Sequence, residues 1–159
     1  MNEENKDVRL ALEEMRFNMQ QVLNNGDSLD QKVNILLVAA GVVLAITSTL
    51  QVTLSPDRSN IYWGILIFAI ILYLLAVGFI LFSSKPYMYH LAMSAKWEDL
   101  DKYLFNTSER EAILTLLAGY VDQIQYNEQI NRRKAKFQSF SLGVLAITVL
   151  IFFILVAIP

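Results

Sequence analysis

Three long runs of this chain carry no ionisable side chain, and they decide what it can fold into. Residues 33–54, 59–84 and 137–159 contain no Asp, Glu, Lys, Arg or His. A helix needs about 20 apolar residues to cross a hydrocarbon core roughly 30 Å thick, and each run is long enough. A helix of that length buried in a soluble core normally keeps a polar stripe. Of 159 residues, 55% are hydrophobic and only 18% charged, which is charge-poor for a soluble domain. The chain is therefore expected to be an all-α membrane protein with three transmembrane helices, forming a helical bundle that oligomerises.

The expected organisation is a cytoplasmic amphipathic helix over residues 1–26, a transmembrane hairpin over 27–85, a cytoplasmic helical region over 86–136 and a third span over 137–159. The hairpin spans fall at about 33–54 and 60–84. The first run does not read as a cleavable leader. It is preceded by Glu3, Glu4, Asp7, Glu13, Glu14, Asp27 and Asp30 against Lys6, Arg9, Arg16 and Lys32, whereas a secretory leader opens with a short basic stretch. "LSPDRSN" (54–60) links the first two runs, and Pro56 and Asp57 suit its turn. Lys32, Lys85, Arg132, Arg133, Lys134 and Lys136 flank the span ends on one side; Arg58 stands alone on the other. Because Lys and Arg collect on the cytoplasmic side, the N-terminus and the central segment are expected there, with the C-terminus outside. The triplet Asn106-Thr107-Ser108 matches a glycosylation acceptor, but this topology keeps it cytoplasmic.

Several function classes are disfavoured. A formal net charge of −2 is the wrong sign for binding a nucleic-acid duplex. The absence of cysteine removes disulfides, thiolate metal sites and cysteine nucleophiles. There is no G-x-x-x-x-G-K, G-x-S-x-G or H-E-x-x-H motif, so the chain is not expected to be an enzyme, and no cofactor or metal is expected. Glu98, Asp99 and Asp101 could imitate a metal site, but adjacent residues point to different sides of a helix, which favours a solvated face. His90 lies among Tyr87 and Tyr89, as an interfacial residue or a proton sensor.

Outside the spans, Val8, Leu12, Met15, Met19 and Val22 recur at alternating steps of four and three, which predicts a helix from about Asp7 to Leu23 with one apolar seam. The seam suits packing against the other cytoplasmic helices, a coiled coil, or the membrane surface. Asn24-Asn25-Gly26 is expected to stop this helix, with Asp27 capping the next. Pro86 should end or kink the second span. Met93, Trp97, Leu100 and Leu104 predict a short helix, interrupted at Asn106-Thr107. Ser108 and Glu111 then have the spacing of a capping box. From there Ile113, Leu117, Tyr120 and Ile124 mark one face of a helix that meets no breaker but Gly119 and is expected to run unbroken into the third span.

Within the spans the candidate functional residues are small. Gly41, Ala45 and Ser48 lie along one side of the first span, and Ser139, Gly143 and Ala146 form a comparable strip on the third. Small residues let helix backbones approach closely in lipid. Such strips serve packing within one subunit, an interface between subunits, or the wall of a polar path. The spans bury no charge midway, which argues against an ion-coupled transporter. At the membrane edge, Asp30 and Lys32 are a helix start with an interfacial anchor, or a latch between the N-terminal helix and the basic segment. Lys85, Arg132, Arg133, Lys134 and Lys136 are interface anchors; "NRRKAK" (131–136) is a topology-setting collar or a contact for lipid phosphate or an anionic nucleotide.

The layout of cytoplasmic helix, "LDQKVNILLVAAGVVLAI", short outer turn, second span ending near Pro86, helical insert and final span resembles the transmembrane effectors of bacterial Pycsar anti-phage systems, and a related set associated with cyclic-nucleotide-type defence operons. The family's first span typically opens with an acid, a spacer, a lysine and a small residue. Asp30, Gln31 and Lys32 fit, while Val33 stands where alanine is usual. Pro86 follows the second span and Arg132 to Lys136 precede the last, as in the family. The resemblance implies an inner-membrane effector of abortive infection, triggered by a nucleotide second messenger or a cytoplasmic sensor protein, that assembles and compromises the membrane. No separate nucleotide-binding module is visible, which leaves a partner protein as a source of the trigger. Two other classes stand beside it: a membrane anchor that recruits a soluble partner, and a small holin-like pore.

Overall fold

The computed structural model of the protein describes residues 3–53, 59–85, 89 and 107–157. Among them the chain is all-helical: α1 is Glu3–Thr53, α2 is Asn60–Ser83 and α3 is Glu109–Ala157. Each of the three is long and apolar enough to cross a membrane. The turn at Pro56, Asp57 and Arg58, together with Pro86, His90, the short helix expected around Met93, Trp97, Leu100 and Leu104, the carboxylates Glu98, Asp99 and Asp101, and Asn106 lie outside the described residues.

α1 corrects one expectation. It is a single helix of 51 residues, with no stop at Asn24-Asn25-Gly26 and no fresh start at Asp27. The seam begun by Val8 and Leu12 continues past Val22 through Gly26, Leu29, Val33, Leu36, Ala40, Val43 and Thr47 in unbroken steps of four and three, every position buried or half-buried. A glycine inside a helix costs only about 1 kcal/mol relative to alanine. Gly26 falls on the buried face, so continuing the seam outweighs that cost.

The other two helices follow the same period. α2 is capped by Ser59, whose Oγ accepts from the Tyr62 amide at 3.3 Å. It buries Tyr62, Leu66, Ala69, Ala76, Ile80 and Ser83. α3 starts on the expected capping box: the Glu111 amide donates to Ser108 Oγ at 3.4 Å and the Ser108 amide to Glu111 Oε2 at 3.3 Å. Its seam runs from Ile113 through Leu117, Tyr120, Ile124, Asn127, Asn131, Lys134, Gln138, Ser141, Leu145, Thr148 and Phe152 to Leu155. A 4–3 period is the seam of helices packed side by side at a shallow angle.

The chain forms two compact units. The first comprises Met1–Ser28 and Tyr87–Arg132. Here the leading parts of α1 and α3 lie parallel, with Arg9 paired to Glu109 near their N-terminal ends and Met19 and Val22 set against Asn127 and Asn131. The second comprises Leu29–Pro86 and Arg133–Pro159. In it α1 and α3 are again parallel and α2 runs antiparallel to both. Val33, Ala40, Ala76, Ile80 and Leu145 form one core cluster; Tyr62, Leu66, Ala69, Phe152 and Leu155 form the other. Ala40, Ala69, Ala76 and Ser141 are almost wholly buried, and their size brings the three backbones close. Around this core stand exposed Ile35, Val38, Ile67, Phe68, Leu150 and Phe153. So wide an apolar surface is untenable in water and ordinary against lipid.

Candidate functional site

The seam of α3 turns polar where the helix leaves the first unit and enters the second. Asn127, Asn131, Lys134, Gln138, Ser141 and Thr148 are all buried, and each has a hydrogen-bond partner, as burial in a low-dielectric interior demands. In the first unit, Asn127 Nδ2 approaches Met19 Sδ at 3.7 Å, and Asn131 Nδ2 donates to the Val22 carbonyl at 2.8 Å. Asn131 Oδ1 accepts from the Tyr89 hydroxyl at 3.0 Å. In the second unit, Lys134 Nζ donates to both carboxylate oxygens of Asp30 at 2.7 and 2.9 Å, and Gln138 Nε2 donates to the Leu29 carbonyl at 2.8 Å. Deeper still, Ser141 Oγ donates to the Ala76 carbonyl at 2.8 Å and Thr148 Oγ1 to its own helix at Val144, also at 2.8 Å.

Lys134 is the most consequential of these. Its side chain is 2% exposed while that of Asp30 is 48% exposed. The cation is thus enclosed between helices and its counter-charge faces outward, three residues before the first charge-free run begins. Asp30 therefore meets a member of the basic collar, as a link between α1 and the collar requires, but Lys32 takes no part in that contact. The continuing 4–3 step from Ile124 to Asn127, Asn131 and Lys134 was the sequence signal that placed Lys134 inside, where the expectation had it as one anchor among several.

The remaining candidates are dispersed. Arg132 pairs with Glu128 at 3.2 Å, one turn earlier on α3. Lys85 Nζ stands 4.2 Å from the centre of the Phe82 ring, a cation–π contact. Arg133 and Lys136 are exposed. Gly41, Ala45, Ser48, Ser139, Gly143 and Ala146 are exposed as well, and a Cβ added at Gly41 or Gly143 would meet nothing within 4 Å. The helices of this chain thus pack through Ala40, Ala69, Ala76 and Ser141, and leave both small-residue strips uncovered. Among the described residues, no three His, Cys, Asp or Glu side chains gather as a metal ligand set.

Gly26 has the opposite environment. A Cβ there would collide with the Tyr89 hydroxyl, lie 2.8 Å from Tyr89 Cζ and 3.1 Å from Asn131 Oδ1. Gly26→Ala should stay within about 1 kcal/mol of the parent, because a helix-propensity gain of about 1 kcal/mol opposes the loss of one hydrogen bond worth about 1 kcal/mol when Tyr89 swings away. Gly26→Leu cannot be absorbed that way and should cost about 1–3 kcal/mol. Thermal unfolding of the two variants in detergent measures the difference.

These observations describe a helical protein with three helices long and apolar enough to span a membrane and a polar, ion-paired seam. Comparison with curated proteins and with solved structures returns no match. A family profile described as the Pycsar effector protein domain matches residues 14–159, nearly the whole chain. The chain therefore belongs to the Pycsar effector family and, with three helices long and apolar enough to cross a membrane, is a membrane protein of antiviral defence.

Proposed function

We propose that this effector acts without catalysis, by self-association of its spans in the bacterial inner membrane, and that the assembly perturbs membrane integrity once triggered. The observation that carries the reading is the exposure of both small-residue strips. Gly41, Ala45 and Ser48 on α1 and Ser139, Gly143 and Ala146 on α3 are surfaces on which another helix could approach closely, and among the described residues no helix of the same chain covers them. The N-terminus and the 86–136 segment face the cytoplasm in this reading, where a nucleotide second messenger or a sensor protein supplies the trigger, and the C-terminus lies outside. The test is to induce the protein with its trigger and follow a voltage-sensitive dye. Depolarisation should precede loss of viability; death at an unchanged membrane potential would remove the proposal.

One observation favours recruitment of a partner as a second reading. Leu10 and Phe17 are both exposed on the first unit, seven residues apart on one side of α1. An anchor that works by recruitment would keep its activity when its spans are exchanged for unrelated ones of the same topology, and a membrane-perturbing effector would lose it.

A further inference from the structure

In the second unit, a cavity of about 330 Å³ opens between α1 and α3. Lys32, Gln138 and Ser139 stand at its rim, and Ile35, Leu36 and Leu142 are among its apolar walls. We propose that this cavity is a binding site for one anionic phospholipid of the bilayer, with its phosphate at Lys32 and an acyl chain along Ile35, Leu36 and Leu142.

Three features support this occupant. The first is depth: Lys32 is the last charge before the run 33–54, so its ammonium sits at the level where lipid phosphates lie and the walls below it at the level of acyl carbons. The second is charge. Asp30, the nearest acid in sequence, has both oxygens engaged by Lys134 at 2.7 and 2.9 Å. That leaves Lys32, exposed and with no ion pair among the described residues, as an uncompensated cation at the mouth of an apolar slot. The third is alignment: a separate apolar cavity of about 80 Å³, with Val43, Ile46, Val149 and Phe152 in its lining, lies further along the same two helices. A cationic rim above an apolar trough is complementary to a molecule with an anionic head and hydrocarbon tails, and to neither a free anion nor a neutral lipid.

The chain has no cysteine, so a single introduced thiol reports on one place. The full-length Ile35→Cys protein, labelled with a fluorophore and placed in bilayers, would be quenched by brominated phosphatidylglycerol or by brominated phosphatidylcholine at matched mole fractions. The anionic lipid should be preferred roughly fivefold, the size expected from one basic residue at an anionic surface. Lys32→Gln in that background should reduce the preference to near unity, and Lys32→Arg should restore it. Lys85→Gln, just past the C-terminal end of α2 and outside the cavity lining, should leave it unchanged. Equal quenching by both lipids in the parent, or a preference that survives Lys32→Gln, overturns the site. So does weak quenching by either lipid together with disulfide cross-linking of the unlabelled Ile35→Cys protein between chains, which would give the groove to a second copy; cross-linking at Ser139 alone is what self-association through the α3 strip already expects.

Discussion

Asp30→Asn should destabilise the protein by about 2–3 kcal/mol, more than Lys134→Met, even though the two substitutions break the same ion pair. The asymmetry follows from where each partner stands. Lys134 is 2% exposed and Asp30 48% exposed. Removing Asp30 takes a carboxylate away from an enclosed ammonium, and breaking a fully buried pair this way costs about 3–5 kcal/mol. The outward-facing carboxylate lowers that figure. Removing Lys134 instead leaves a carboxylate that water can solvate, at a cost of about 1 kcal/mol, while the Met side chain keeps most of the packing. The double variant, with neither charge, should recover most of the Asp30→Asn loss, so that the four unfolding midpoints give a coupling energy well away from zero. Equal losses from the two single variants would mean that Lys134 is not enclosed.

Ala76→Leu and Gly143→Leu should separate folding from activity. Ala76 is wholly buried, and its carbonyl accepts from Ser141 Oγ at 2.8 Å. Leucine there must push α2 away from α3 and should cost about 2–3 kcal/mol. At Gly143 an added Cβ meets nothing within 4 Å, so the side chain starts into open space. It should leave the unfolding midpoint of the extracted monomer nearly unchanged, or raise it slightly through helix propensity. If the strips join copies of the chain, Gly143→Leu nevertheless abolishes triggered killing, at least tenfold in surviving cells, and shifts the cross-linked species toward monomer. A variant that folds, stays monomeric and still kills would exclude the strip on α3 as the working surface.

The charge-free runs carried the fold. Their lengths translate into α2 and the second halves of α1 and α3 because nothing but a closed helix satisfies backbone polar groups in hydrocarbon. The Ser108–Glu111 cap was also legible, since its two reciprocal hydrogen bonds depend on local spacing alone. Gly26 was not, because Asn24-Asn25-Gly26 is a stop signal only locally, while the six seam positions past it, from Leu29 to Thr47, carry the helix on. The small residues left packing within the chain and contact between chains open for a different reason. In a run without charges, glycine, alanine and serine occur on several faces, and which face meets a neighbour depends on the partner helix; Ala40 and Gly41 are adjacent in sequence and end on opposite sides of that distinction. In Lys134 two signals compete: its charge groups it with the basic segment, while its place in the 4–3 period puts it on the buried face, and the period prevails.

The hydroxyls deep in the second unit have a last implication. Ser141 gives its proton to Ala76, Ser83 to Ile80 and Thr148 to Val144, so each is spent on a backbone oxygen and none remains to ferry a hydrated ion. Among the described residues, these three hydroxyls thus offer a permeating ion no free donor inside one chain. If the chain conducts by self-association, as proposed above, the current would run along flanks shared by several chains, and its conductance would then scale with how many of them gather rather than with how far any one of them opens.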